Sequence, residues 1–241
     1  MPSHAAVHRE PLSPELRKGL ANRFLQLAFQ LAGTGALLFG CAGSLEWARG
    51  WLYLGTMLAS MVAMGLWVVP RNPEVIAARG RLHRDTASFD KLLVPLYSLC
   101  SAAIYVVGAL DNGRFAWAPL GWPWSIAGAL LLLASTVPIA GAMAANRNLE
   151  TTVRIQTERG HQVATEGPYR VVRHPMYAAA LLQLPAIALV LGSAWALVAA
   201  AAACLTVVVR TAFEDHTLRL HLPGYQTYAL RTRYRLVPGL W

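Results

Sequence analysis

Of the 241 residues, 56% are apolar and 14% charged, and the mean hydropathy is +0.41. Soluble domains carry more charge and disordered chains much less apolar surface, so both classes are excluded. The formal net charge of +9 would suit a nucleic-acid binder only if it were gathered in one soluble segment, and it is not.

Six apolar runs approach the length that crosses a bilayer as a helix: 24–43, 51–69, 92–110, 124–145, 176–192 and 194–212. The period-two alternation of a membrane barrel is absent. The chain is therefore expected to be all-α and polytopic, with about six helical segments. Ahead of the first run, residues 1–12 are polar and expected to be disordered. Ser13-Pro14-Glu15 offers a capping hydroxyl, a proline suited to the first helical position and an acid in the first turn. Leu12, Leu16, Leu20 and Phe24 then repeat near helical spacing among Arg17, Lys18 and Arg23, which predicts a short helix lying on the membrane surface. The first apolar run is long enough to stay as a span, so no cleavable leader is expected.

Gln26 and Gln30, four apart, mark a face expected to pack on another helix, because an amide in lipid needs a partner. Trp47, Trp51 and Tyr53 surround the first tight outer loop, and Trp117, Trp122 and Trp124 the second, at the level where amphipathic rings are favoured. The loop at 70–91 is longer than a connector requires. Pro73-Glu74 opens a short helix there that Gly80 would close, and the loop is either a solvated basic segment or a lid over a site. Cys41, Cys100 and Cys204 fall inside predicted helices at no metal-ligand spacing, so they read as buried thiols and no metal is expected.

Lysine and arginine separate the two faces. Four precede residue 24, five lie in 70–91, five in 146–173 and five from 210 onward, whereas the alternate loops carry only Arg49 and Arg114. Nineteen against two places both termini and the two long loops in the cytoplasm. Three regions follow: a cytoplasmic segment over 1–23, four spans with their loop over 24–145, and a C-terminal region over 146–241.

Two polar knots bound the last two apolar runs. The first is Gly160-His161-Gln-Val163-Ala-Thr-Glu-Gly167-Pro168-Tyr169, continuing to Arg173-His174-Pro175-Met-Tyr177. Gly167-Pro168 imposes a turn, and Pro175 is placed to begin a helix whose open N–H groups attract an anion. His174 and Tyr177, three apart, line one side of that helix start. The second knot is Glu214-Asp215-His216. Carboxylates at that boundary oppose both the helix dipole and anionic lipid and need a cation, either Arg210 one turn earlier or a ligand's ammonium or sulfonium. With only Gly192-Ser193 between the two runs, the hairpin returns the chain to the side it left, so the knots are expected to meet. A zwitterionic, nucleotide-like cofactor with a positive centre suits such a set.

These motifs, followed by Pro-Gly-Tyr225-x-x-Tyr228 and Arg231-x-Arg233, resemble those of the isoprenylcysteine carboxyl methyltransferases over roughly 155–241. The related phospholipid N-methyltransferases are similar over the same stretch. The resemblance implies S-adenosylmethionine bound in a cytoplasm-facing pocket, with His161 and Val163 beside the adenosine part, Tyr169 closing that wall and Gly167 also among the cofactor-binding residues. It implies His174, Pro175 and Tyr177 near the ribose and methionine portions, and Glu214 on the cofactor's amino or hydroxyl groups. Arg173 and Arg231 would orient an anionic acceptor; the acceptor itself is lipophilic, an isoprenylcysteine-like carboxylate or another lipid-like carboxylate or amine, and arrives from the bilayer. Asp215 stands where that family commonly has a second glutamate. The competing readings are an NADPH-dependent reductase of the sterol-reductase kind and a non-enzymatic membrane protein. The absence of mid-membrane charge in the first four spans argues against ion or proton transport.

Overall fold

The computed structural model describes residues 13–79, 87–154, 156 and 160–241; the expected disorder of 1–12 and the closing role of Gly80 lie outside the described residues. Eight α-helices make up the described fold: α1 (Pro14–Ala42), α2 (Ala48–Val68), α3 (Pro73–Ala78), α4 (Asp90–Gly108), α5 (Trp122–Ala145), α6 (Pro175–Leu191), α7 (Ala194–His221) and α8 (Tyr225–Arg231). Five are long and apolar enough to cross a membrane, and α6, with 17 residues, is shorter. Large apolar side chains such as Phe29, Leu66, Leu99, Leu130 and Val137 point outward, as a multi-pass membrane protein requires.

Local chemistry sets the helix ends. The Ser13 hydroxyl accepts from the Leu16 N–H at 3.3 Å, Pro14 begins α1, and Gly43 ends it with a φ of 73°. No separate surface helix precedes the span: α1 runs unbroken from Pro14, since nothing near Arg23 interrupts its hydrogen-bond ladder. The α4 helix likewise continues as a π-turn through Ala109–Phe115, so part of the expected second outer loop is helical. Gly192, at φ 70°, closes α6, and the Ser193 hydroxyl caps α7 through the Ala196 N–H.

The core lies where α5, α6 and α7 meet α2 and α4. A Cβ at Gly128 would stand 2.7 Å from the Val190 nitrogen and 2.8 Å from the Ala186 oxygen, so α5 and α6 touch backbone to backbone. The α1 helix packs loosely. Gln30 is exposed there and borders a cavity instead of a neighbouring helix, which corrects the expectation for that face.

Far from the polar knots, one lock closes the helical ends. The buried Asp111 carboxylate accepts from the Ser193 hydroxyl at 2.5 Å and the Ala118 N–H at 2.7 Å. Beside it, Arg49 donates to the Leu120 and Gly192 carbonyls, and Asn112 donates to Gly192 as well. Replacing Asp111 with alanine leaves two buried donors unpaired, at about 1–3 kcal/mol each. The expected outcome is a lower apparent melting temperature in detergent with ligand affinity at the opposite end unchanged, read by thermal unfolding with and without ligand.

Candidate functional site

The two knots do meet. From the Arg173-His174 end of α6, the Arg173 Nε donates to Asp215 Oδ1 on α7 at 2.7 Å, and its Nη2 reaches Oδ2 at 3.3 Å. Asp215, with no exposed side-chain surface, also accepts from Arg219 and Arg235 at 3.0 Å each and from the Tyr225 hydroxyl at 2.9 Å. Burial, reinforced by that carboxylate, pushes the Tyr225 phenol above its ordinary range, so it acts as a donor. The remaining Nη of Arg173 donates to the Thr232 and Arg233 carbonyls. The tail closes the same joint through its backbone: Tyr234 and Arg235 carbonyls accept from the Arg173 and His174 N–H groups. The N–H groups just before α6 are therefore taken by the tail.

Glu214, one residue earlier, points about 100° away around the helix and faces a cleft. Its carboxylate accepts from the Tyr177 hydroxyl at 2.5 Å and lies 4.0 Å from His174 Nδ1. The His174 and Tyr177 rings stack with centroids 5.8 Å apart, as their spacing predicts. Arg210 is not the partner of Glu214. It binds Asp90, at the start of α4, through two bonds of 2.7 and 2.8 Å and the Thr151 carbonyl at 2.9 Å. Asp90 in turn accepts from the Val153 N–H at 2.7 Å, so one buried acid pins α4, α7 and the loop after α5 together.

That loop forms the opposite wall of the cleft. Asn148 and Gln156 exchange amide hydrogen bonds, Nδ2 to Oε1 at 3.2 Å and Nε2 to the Asn148 carbonyl at 2.6 Å. His161 closes a turn on Gln156. Val163 lines the cleft beside it. Tyr169 is buried, and its hydroxyl accepts from Asn146 at 3.1 Å; burial raises its phenol above the ordinary range.

Of the sequence-predicted residues, the structure gathers His161, Val163, Tyr169, Arg173, His174, Pro175, Tyr177 and Glu214 around this one cleft. Gly167 shapes the turn before it, at a φ of 57°. Arg231 stands exposed on α8, away from the cleft and its neighbouring cavity.

The enclosed part of the cleft is small, about 110 Å³. Behind it lies a larger, mostly apolar chamber of about 460 Å³ between α2 and α4, backed by α5, α6 and α7. At its far end the Tyr53 and Tyr105 hydroxyls bridge α2 and α4 at 3.0 Å. Arg79, Thr151, Met176, Tyr177 and Arg210 border both spaces, and the boundary they share is termed the window. Sequence reasoning did not assign Arg79, Asp90, Asn146 or Asn148 to a site. The available signal was Asp90 and Arg210, each a charge at the edge of an apolar run. The 70–91 loop is no mere solvated connector: Asn72 donates to the Met143 carbonyl at 2.8 Å, and Val75 is fully buried.

Comparison with known proteins adds two findings. Residues 124–222 match the phospholipid methyltransferase family. That stretch covers α5, the cleft wall and the α6–α7 hairpin, and leaves out Arg79 and α8. Separately, the chain is 28% identical over 94 residues to a probable plastidic glucose transporter 2 of Arabidopsis thaliana, covering 38% of this chain and 19% of that protein. The chain thus spans about a fifth of that relative's length, and so short a match carries no inference about activity.

Removing the buried acid tests the joint. Asp215→Ala strands Arg173 without a counter-charge, a change expected to cost about 3–5 kcal/mol. A double-mutant cycle with Arg173→Ala, followed by thermal unfolding, should show strong coupling. Additive losses would mean that the pair is not the organising contact.

Proposed function

We propose, from the premise that residues 124–222 are a phospholipid methyltransferase family domain, that the chain is an integral membrane methyltransferase using S-adenosylmethionine. Its acceptor is a lipophilic molecule with an isoprenylcysteine-like carboxylate, or another lipid-like carboxylate or amine. The observation that carries this reading is the window: a polar cleft with an inward-facing carboxylate adjoins an apolar chamber across a shared set of side chains. A water-soluble donor and a bilayer-soluble acceptor can meet there without either leaving its own solvent.

The donor set fits the cofactor. Glu214 presents a negative charge suited to the methionyl ammonium or a ribose hydroxyl, and Tyr177 fixes its orientation at 2.5 Å. The Tyr177 ring stacks on His174 and already carries the Arg210 guanidinium 5.2 Å from its centroid, so these rings shape the cleft wall beside Glu214. The amide-rich wall of Asn146, Asn148 and Gln162 supplies hydrogen-bond groups for a base. Since the enclosed volume is small, the cofactor's reactive end belongs at the window and the nucleoside along the open side of the cleft.

The cofactor, when bound, supplies a methyl group already activated by a positively charged sulfur. The protein therefore needs chiefly to align and to exclude water. Rigid placement comes from the Asp215 and Asp90 joints, which hold α6, α7 and α4 at fixed separation. Burial of the window strengthens each charge interaction made there. Arg173 and His174 serve here as positioning residues, because Asp215 and the tail engage them. The nineteen-to-two charge asymmetry supports a cytoplasmic location for both termini and for the cleft.

Calorimetric titration of the purified protein in detergent tests the reading. S-adenosylmethionine and S-adenosylhomocysteine are expected to bind, and NADPH not to. Binding of NADPH alone would favour a reductase. Glu214→Ala should weaken cofactor binding by about 10–100-fold, the loss of one charged hydrogen bond, with the melting temperature of the ligand-free protein little changed.

A further inference from the structure

Among the described residues, the window holds a cation that no carboxylate pairs with. Arg79 ends α3 half-buried, and its Nη1 meets only the Met176 thioether at 3.4 Å, a weak acceptor for a group with five donors. Arg210 beside it is satisfied by Asp90, and the Glu214 carboxylate is engaged by the Tyr177 hydroxyl, with no salt bridge to Arg79. Burial, with Arg23 adding like-charge repulsion, lowers the Arg79 guanidinium to about 10, so it stays charged at neutral pH. Its position is built, not incidental: the Arg79 N–H bonds the Val75 carbonyl at 3.3 Å, and its own carbonyl accepts from the Thr151 hydroxyl at 3.2 Å.

An unpaired guanidinium out of water is costly unless an anion joins it. No acid lines the chamber among the described residues: Phe24, Leu27, Met57, Met61, Leu184 and Ile187 supply its apolar walls. The anion must come with the molecule that fills the chamber. We infer that Arg79 is the acceptor-binding and specificity-determining residue, and that it selects a lipophilic carboxylate over a lipophilic amine. This inference rests on the methyltransferase reading above and names the acceptor class within it.

The charges decide the choice. An ammonium acceptor at the window would face Arg79 and the sulfonium together, two like charges, and would have to lose a proton first. A carboxylate meets two attractions and needs no base. In the transfer, a carboxylate oxygen forms a bond to the methyl carbon while the carbon–sulfur bond breaks. The electron pair stays on sulfur, the sulfonium becomes a neutral thioether, the carboxylate becomes a neutral methyl ester, and no proton moves. A planar guanidinium suits carboxylate recognition through two parallel bonds.

Binding without turnover tests this directly. Palmitate, hexadecylamine and methyl palmitate have similar chains and differ in head charge. In nanodiscs of neutral lipid, palmitate should bind the wild-type protein at least 10-fold more tightly than the other two. Arg79→Gln should erase that margin, and Arg79→Lys should restore part of it. The affinity for S-adenosylhomocysteine should be the same in all three proteins. Weakened S-adenosylhomocysteine binding in Arg79→Gln would assign Arg79 to the cofactor instead, and unchanged palmitate binding would leave it with no acceptor role. Either result overturns the inference, as does failure of palmitate to bind the wild type.

A phosphate could also satisfy Arg79, and phosphatidylethanolamine vesicles separate that source. Methylation of its amine, rising with pH toward about 10, would overturn the inference. Transfer to palmitate that is flat across neutral pH and falls only below about 4–5 is the expected profile. Failure of these arms while S-adenosylhomocysteine still binds would sink only the acceptor assignment. Failure of S-adenosylhomocysteine to bind would sink the methyltransferase reading itself.

Discussion

The site depends on one carboxylate. Asp215 sits on a membrane helix with no exposed surface and collects Arg173 from α6, Arg219 from its own helix, Arg235 from the tail and the Tyr225 hydroxyl. Isolated, that charge would be intolerable in such a place. Paired this fully, it welds three separate stretches of chain into one block. Breaking one partner leaves the others uncompensated, so the group behaves as a unit.

A second acid repeats the device on the other side. Asp90 links α4, α7 and the loop after α5. The two joints stand on α7 on either side of Glu214, and this explains how that residue is left free to face the cleft. Charges that hold the scaffold are neutralised within it. Arg79 at the window and Glu214 in the cleft are left available to a ligand. The segregation of structural from ligand-facing charge is what sets the polar cleft and the apolar chamber against a common boundary.

The helical architecture was largely legible from the apolar runs, and so was the meeting of the two knots, because Gly192-Ser193 leaves no room for any path but a hairpin. The position of Pro175 at a helix start and the stacking of His174 on Tyr177 follow from local rules alone. Pairing partners did not follow. Glu214 and Asp215 are adjacent in sequence but diverge by about 100° on the helix, so only the rotational setting of α7 decides which one enters the joint. Arg210 has its nearest acid in sequence at Glu214, yet it binds Asp90, 120 residues away. Arg79 was hidden for the same reason: its loop carries several basic residues, and composition cannot distinguish the one brought against the window. The continuity of α1 was missed because amphipathic spacing marks a face and not an end.

The tail's part in the Asp215 joint bears on folding. Arg235 and Tyr225 follow α7 in the chain, so α6 and α7 can pair through Arg173 and Arg219 alone, and the acid gains its third cation and the Tyr225 hydroxyl only when the tail folds back. The carbonyls that secure Arg173 also come from residues 232–234. Closure of the binding cleft therefore waits on the tail, and a chain cut before residue 232 would carry the α6–α7 hairpin without the seal on Arg173.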